Sequence, residues 1–441
     1  MKKALEAFDE KRELMTKDLE YQEYRQRYKK DLEYFSTSGN RLSRRALARL
    51  AFGGAAAATA MGNMRALNAQ ANHAATGDAG VKLMHRPLGN STNPSADDLR
   101  FIREIGFKYC YASGSGGPQG ARTFLTADEQ KAAKKRYADA GLVLHNIRYM
   151  VGGPGNYALN SLLLNLPDRA EGTEHLKQFI RATGKSGAGF DYTGGRLMIT
   201  GVWSSGETDI RNGVMARQFD PTSPNARASD FLGGNKPGAT RPAGGLKSLY
   251  WGREYKYDEV MDNFKKYFVK DIVPVLEQEG VFIAFHGPDD PPVFESLGGV
   301  ARILSNYERI KAMFAAANSP MVGIQFCAGS WNEGGPLMGK DILAALTEFS
   351  ALKKFREIHY RNVSSPPVNG MPNFHEAFMD TGYYDYYKIM KTVVDIGWDG
   401  FVHLDHSADM VGGTYTYAAY AAGFMHAMLN RARSSPKGNL S

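Results

Sequence analysis

Two imidazoles, a thiol and a carboxylate stand at or near the ends of four apolar runs: His286 in "VFIAFH", Cys327 in "MVGIQFC", His359 in "REIHYRN" and Asp405 in "FVHLDH". Those groups are the ligand types of divalent transition metals. A thiolate beside imidazoles suits zinc or ferrous iron by softness, and a carboxylate with open positions also admits manganese. The chain has no Cys-x-x-Cys pair, so a metal held by these residues is read as catalytic before structural.

For the four to meet, their strands must be neighbours. From Val81 onward short apolar runs alternate with longer helical patterns, the signature of βαβ units on a parallel sheet. The runs are "VKLMH", "FKYCYAS", "LVLHNIRYM" and "RLMITGVW", followed by the four above. Eight such strands close a (β/α)8 TIM barrel, an α/β fold whose catalytic rim lies at the C-terminal ends of the strands. Side chains alternate along a strand, so Val281, Ile283 and Phe285 face the helices and leave His286 inward. The same parity puts Gly323, Gln325 and Cys327 inward, then His359 and Arg361, then His403 and Asp405. Ser95 is the N-cap expected for "SADDLRFIREIG", Thr126 opens "TADEQKAAKKRYADAG" and Gly141 closes it. "SADMVGGTYTYAAYAAGFMHAMLNRA" supplies the last helix. Gly/Pro/Asn-rich residues at about 205–250 form an insertion near the barrel mouth, expected to act as a lid.

The chain has 441 residues and a net charge of +8. The basic excess sits mainly at the N-terminus, where residues 1–71 carry 14 Lys and Arg against 9 Asp and Glu. The remainder is nearly balanced and has no basic stripe interleaved with aromatics, which argues against nucleic-acid binding. Two cysteines, Cys110 and Cys327, build no disulfide framework. Residues 1–71 read as a leader. A charged region ends in Ser43-Arg44-Arg45, a short Ala/Gly-rich run begins at Leu50, and Ala69-Gln70-Ala71 follows. This resembles a twin-arginine export signal cleaved after Ala71. It predicts a partnership with the twin-arginine translocation machinery and a periplasmic or secreted barrel of residues 72–441. The run is too short and glycine-rich for a permanent membrane span. The alternative is an amphipathic helix with a chance arginine pair.

Residues from about 81 to 430 resemble the mannonate dehydratase family, TIM barrels of the xylose-isomerase-like superfamily. The resemblance rests on "AFHGPDDPP", "IQFCAGS", "IHYRNV" and "LDHS", with "GVWSSGETDI" similar to the family's segment after the fourth strand. It implies a divalent ion, usually manganese, on His286, Cys327, His359 and Asp405; iron, zinc and cobalt are the other metals considered. It also implies proton movement by the pair Asp405 and His406, and dehydration of D-mannonate to 2-keto-3-deoxy-D-gluconate. Three departures surround the substrate: an inserted Gly287, His403-Leu404 in place of Arg-Pro, and Ser407 in place of Gly.

Elementary chemistry agrees with that reaction. Removing the proton alpha to a carboxylate gives a dianionic enolate-like species, which needs a cation. His406 is the first candidate for the base. Arg361 either forks onto the substrate carboxylate or makes a structural ion pair. Asn362, His403 and Trp203 are the further candidates for substrate binding. Tyr415, Tyr417 and Tyr420 either donate to the leaving group or pack the start of the last helix. Two other readings stay open: a sugar isomerase or epimerase using Glu333 and Asp289 as bases, and a non-catalytic exported sugar-binding protein. The barrel has core enough for a monomer, and an oligomer is compatible with it.

Overall fold

Runs rich in Val, Ile, Phe and Tyr become strands, and the cap-bearing polar stretches between them become helices. The computed structural model describes residues 80–113, 125–148, 154–186, 192–195, 202–223, 227–228, 252–406, 408 and 410–440. The leader with its arginine pair lies outside the described residues. Eight strands form one parallel sheet: Lys82–His85, Tyr109–Ser113, Val143–Arg148, Tyr192–Gly195, Phe282–Gly287, Val322–Cys327, Phe355–Tyr360 and Phe401–Leu404. Numbered along the chain, they lie in the order 3-2-1-8-7-6-5-4. The first and eighth are paired from Lys82↔Phe401 to Met84↔His403, which is the cyclic order of a (β/α)8 barrel.

Parity sorts the core into two parts. Val322, Ile324, Phe326, Ile358, Tyr360, Val402 and Leu404 join the shell between strands and helices. Phe282 and Ala284, and separately Met84, Tyr109, Tyr111 and Phe401, form small clusters apart from that shell, on the inward parity. Gly323 makes this interior possible, because a Cβ there would stand 2.4 Å from Phe282 Cζ. The helix Ala96–Glu104 starts at Ser95 with a capping box to Asp98, and Ala127–Asp139 starts at Thr126 with one to Glu129. Gly141 follows the second of these at φ +76°, a conformation glycine adopts freely. No helix among the described residues is long and apolar enough to cross a membrane.

The strand described in fourth place is Tyr192–Gly195; of the expected "RLMITGVW", residues 196–201 lie outside the described residues, and its last two belong to the strand Val202–Ser204, which pairs with Arg227–Ala228. Tyr192–Gly195 pairs with the fifth strand from Tyr192↔Phe282 to Gly195↔Phe285. The last helix spans Gly413–Ser434, starting later than its pattern suggested because Gly412 and Gly413 both have positive φ.

Within the insertion, Gly206–Arg211 and Val214–Phe219 form a hairpin around Asn212-Gly213. Both turn residues have φ > 0, the requirement of a two-residue type I′ loop. The hairpin continues into a four-stranded antiparallel sheet with Phe374–Ala377 and Asn362–Val363, drawn from between the seventh and eighth barrel strands. This second sheet brings Arg217 and Glu376 to the wall of one cavity.

Candidate metal centre

The fifth, sixth and seventh strands and the turn after the eighth deliver His286, Cys327, His359 and Asp405 to one spot. One donor atom from each lies within 4.8 Å of the other three. Ligands at about 2.0–2.3 Å from a common ion stand no more than roughly 4.6 Å apart, so the spacing of the set is of the order that one ion requires. His286 Nδ1 lies 2.9 Å from the Pro288 carbonyl oxygen, an acceptor that keeps the proton on Nδ1 and leaves the lone pair on Nε2. Burial drives His359 well below the ordinary histidine pKa, giving the neutral ring that metals bind. Its Nδ1 is 3.1 Å from Asp405 Oδ1, and its Nε2 has no hydrogen-bond partner among the described residues. Burial would raise the Asp405 carboxyl, but His359, His406 and Arg361 override it and hold Asp405 well below the carboxylate range. Burial also pushes the Cys327 thiol up despite Arg361, so a thiolate there requires a cation beside it. The Nε2 lone pair of His286, a neutral His359, an ionised carboxylate and a thiol together fit a divalent ion.

Beside this cluster lies a cavity whose wall includes Arg217, Asp290, Glu333, Arg361, Glu376 and His406. Arg361 joins the two. Its Nε donates to Asp405 Oδ2 at 3.0 Å and its Nη2 to Glu333 Oε1 at 2.7 Å. Asp290 and Glu376 stand 3.7 and 3.6 Å away. The guanidinium lies flush against Gly329, where a Cβ would be 2.7 Å from Cζ. Of the two roles open for Arg361, the internal ion pair is the one the geometry displays.

His406 is the imidazole of the cavity wall. Its Nδ1 is 2.5 Å from Glu376 Oε1, and its Nε2 is 3.4 Å from Asp405 Oδ1 and 3.5 Å from Arg217 Nη1. Burial would raise Glu376, but His406, Arg361 and Arg217 hold it below its ordinary value. An ionised carboxylate bonded to one imidazole nitrogen fixes the ring and makes the other nitrogen, beside Arg217 Nη1, the acceptor.

Other candidates lie elsewhere. Asn362 is fully buried and donates to the carbonyls of Met379 and Tyr384, so it pins a loop rather than facing the cavity. His403 is also corrected. It sits inside the barrel, 2.8 Å from Arg148 Nη2 and 3.6 Å from Glu357 Oε1, because it precedes Asp405 by two residues and so lies deeper along the eighth strand. The Trp203 side chain and Ser407 lie outside the described residues. Tyr415 and Tyr420 donate to Asp98 and Asp380, while Tyr417 packs on Phe378. Asp289 is held near Arg302 and Leu304 in the loop after the fifth strand. Glu376 and Arg217 were not singled out from the sequence, although the Asn212-Gly213 turn would have marked the hairpin that carries Arg217.

Residues 243–429, which contain all four donors, match the family model described as D-mannonate dehydratase (UxuA). The mannonate dehydratase of Thermotoga petrophila is 32% identical over 174 residues, 36% of this chain and 46% of that protein. That of Lactococcus lactis subsp. lactis is 28% identical over 301 residues, 64% of this chain and 79% of that protein. The chain thus spans about half the length of the first of these relatives. The crystal structure of mannonate dehydratase from Streptococcus suis serotype 2 superposes with a TM-score of 0.62 at 21% identity, covering 82% of this chain and 98% of that one. The likeness in structure establishes the barrel, and the likeness in sequence ties its C-terminal half to the D-mannonate dehydratase pattern.

Proposed function

We propose that this chain is a metal-dependent hydro-lyase that dehydrates D-mannonate to 2-keto-3-deoxy-D-gluconate. The observation that carries the reading is the four-donor cluster directly beside the Glu376–His406 pair. His286, Cys327, His359 and Asp405 hold the ion, with manganese the proposed metal. When bound, a divalent ion supplies the positive charge that an enolate-like species needs at its carboxylate and neighbouring oxygen. His406 Nε2 takes the proton from C2, with Glu376 on Nδ1 orienting the ring and stabilising the imidazolium. Arg217, whose Nη1 is 3.5 Å from His406 Nε2, places a second guanidinium at the substrate carboxylate, since Arg361 is engaged by acids. The barrel interior behind the site is filled by Phe282, Tyr111 and Phe401, which excludes water from below.

The test is to strip the full chain of metal, reload it with Mn²⁺, supply D-mannonate and assay the keto-deoxy product. Metal-dependent product formation is expected; full metal loading without product from D-mannonate overturns the substrate assignment. Export by the twin-arginine route is part of the proposal and rests on Arg44-Arg45 and the run that follows them. Replacing both arginines by lysine should retain the chain in the cytoplasm, and unchanged export would remove that part.

A further inference from the structure

Glu333 has no task in the scheme above, yet its surroundings are unusual for a carboxylate. It lies in the helix Ala328–Gly334 that follows the sixth strand, is 2% exposed and lines the cavity. Oε1 accepts from Arg361 Nη2 at 2.7 Å, while Oε2 is buried without a hydrogen-bond partner among the described residues. An ionised carboxylate in that position leaves an acceptor unsatisfied, at a cost a buried group avoids by holding a proton. Arg361 is also shared: Asp290, Glu376 and Asp405 stand 3.7, 3.6 and 3.0 Å from its guanidinium, so it compensates Glu333 only in part. Burial, opposed by Arg361 and reinforced by Asp290 and Glu376, pushes the Glu333 carboxyl up from its ordinary value.

The geometry points to Glu333 as the acid that protonates the leaving C3 hydroxyl, through the Oε2 that faces no partner. This rests on the dehydratase reading and completes its proton inventory. His406 takes the C2 proton, and the electron pair of that bond becomes the C2–C3 double bond. The C3–O bond breaks, its oxygen takes the Glu333 proton, and water leaves. The enol then becomes the keto acid as the C2 hydroxyl loses a proton and C3 gains one, with no net change. The proton on His406 passes through solvent to the Glu333 carboxylate, which resets both groups. Base and acid are thereby assigned to different partners on one wall: His406 beside Glu376, and Glu333 beside Arg361.

The experiment uses Glu333→Gln, which keeps the size and the acceptor for Arg361 but has no acidic proton. With D-mannonate and the Mn²⁺-loaded full chain, kcat should fall roughly 10²–10⁴-fold while metal content stays at the wild-type level. The substrate 3-deoxy-3-fluoro-D-mannonate loses fluoride without protonation, so the variant should process it within a few-fold of the wild type. In metal-free protein, an infrared band of a protonated carboxyl should be present in the wild type and missing in the variant. Wild-type turnover of D-mannonate with an equally active Glu333→Gln would overturn the assignment, as would equal loss on the fluoro substrate. A wild type inactive on D-mannonate would instead bring down the dehydratase reading itself.

Discussion

Two buried clusters of histidine, carboxylate and arginine occupy successive levels of this barrel, and they behave differently. Deeper in the barrel, two residues before His359 and Asp405 in their strands, Glu357 and His403 meet Arg148 from the third strand. Arg148 Nη2 is 2.9 Å from Glu357 Oε1 and 2.8 Å from His403 Nε2. Asn146 donates to Glu357 Oε2 at 3.3 Å, and the guanidinium lies 3.6 Å over the Tyr111 ring. Glu357, His359 and His403 also place donor atoms within 4.8 Å of one another, so by residue type and spacing this set too resembles a metal site. It already contains its cation, however, in Arg148. At the rim Arg361 is shared among four acids, and His359 Nε2 and Glu333 Oε2 have no hydrogen-bond partners among the described residues. The difference between the levels lies in the cation, since Asn146 Oδ1 at the lower level also lacks a hydrogen-bond partner among the described residues: Glu357 and His403 are both engaged by Arg148, whereas the rim has to divide Arg361 among four acids.

The largest expected effect comes from breaking the rim. Asp405→Asn removes a ligand charge together with the shared neighbour of His359 and Arg361. Bound metal should fall well below one per chain, and turnover by at least the roughly 10²–10⁴-fold that a single proton-transfer group is worth. Full metal occupancy in that variant would show that the rim does not depend on its carboxylate. Next in size, Arg148→Met leaves Glu357 charged and uncompensated, which should cost about 3–5 kcal/mol in the denaturant-induced unfolding of metal-free protein. If the two levels are independent, rim metal affinity changes little; a parallel collapse of metal binding would merge them into one network. The smallest effect is a slope. Burial would raise Glu357, but Arg148 and His403 hold it below its ordinary value of 4.5. A depressed carboxylate contributes stability that is complete above its unfolded pKa and is lost as the pH falls. Glu357→Gln should therefore flatten the loss of stability between about pH 5 and pH 3, and an unchanged acid limb in urea titrations would contradict the ion pair.

Much of this was legible in the sequence, for reasons that also mark where it stopped. Strict alternation in "VFIAFH", "MVGIQFC" and "FVHLDH" gives both strand and facing, so the convergence of His286, Cys327, His359 and Asp405 follows from parity and strand order. Parity does not give height, and His403 shares the inward face with Asp405 while belonging to the lower level. Asn362 follows the seventh strand, where the chain has already turned into the antiparallel sheet, and alternation no longer says what it faces. The strand described in fourth place, Tyr192–Gly195, is "YTGG", with no apolar alternation to announce it. Glu376 was invisible for a different reason. It is brought to His406 by pairing between two segments that lie outside the βα repeat, and no local pattern encodes that pairing.

The antiparallel sheet at the barrel mouth carries a consequence for recombination. Its strands come from two insertions, one between the fourth and fifth barrel strands and one between the seventh and eighth, joined by Phe374↔Phe219 and His375↔Gln218. A chimaera that takes the hairpin of residues 206–219 from one parent and the segment of residues 362–377 from another would disturb this seam, exposing backbone donors and acceptors at two edges. The two insertions therefore form one block of inheritance despite their separation along the chain, and crossover points in domain shuffling belong outside both or within neither.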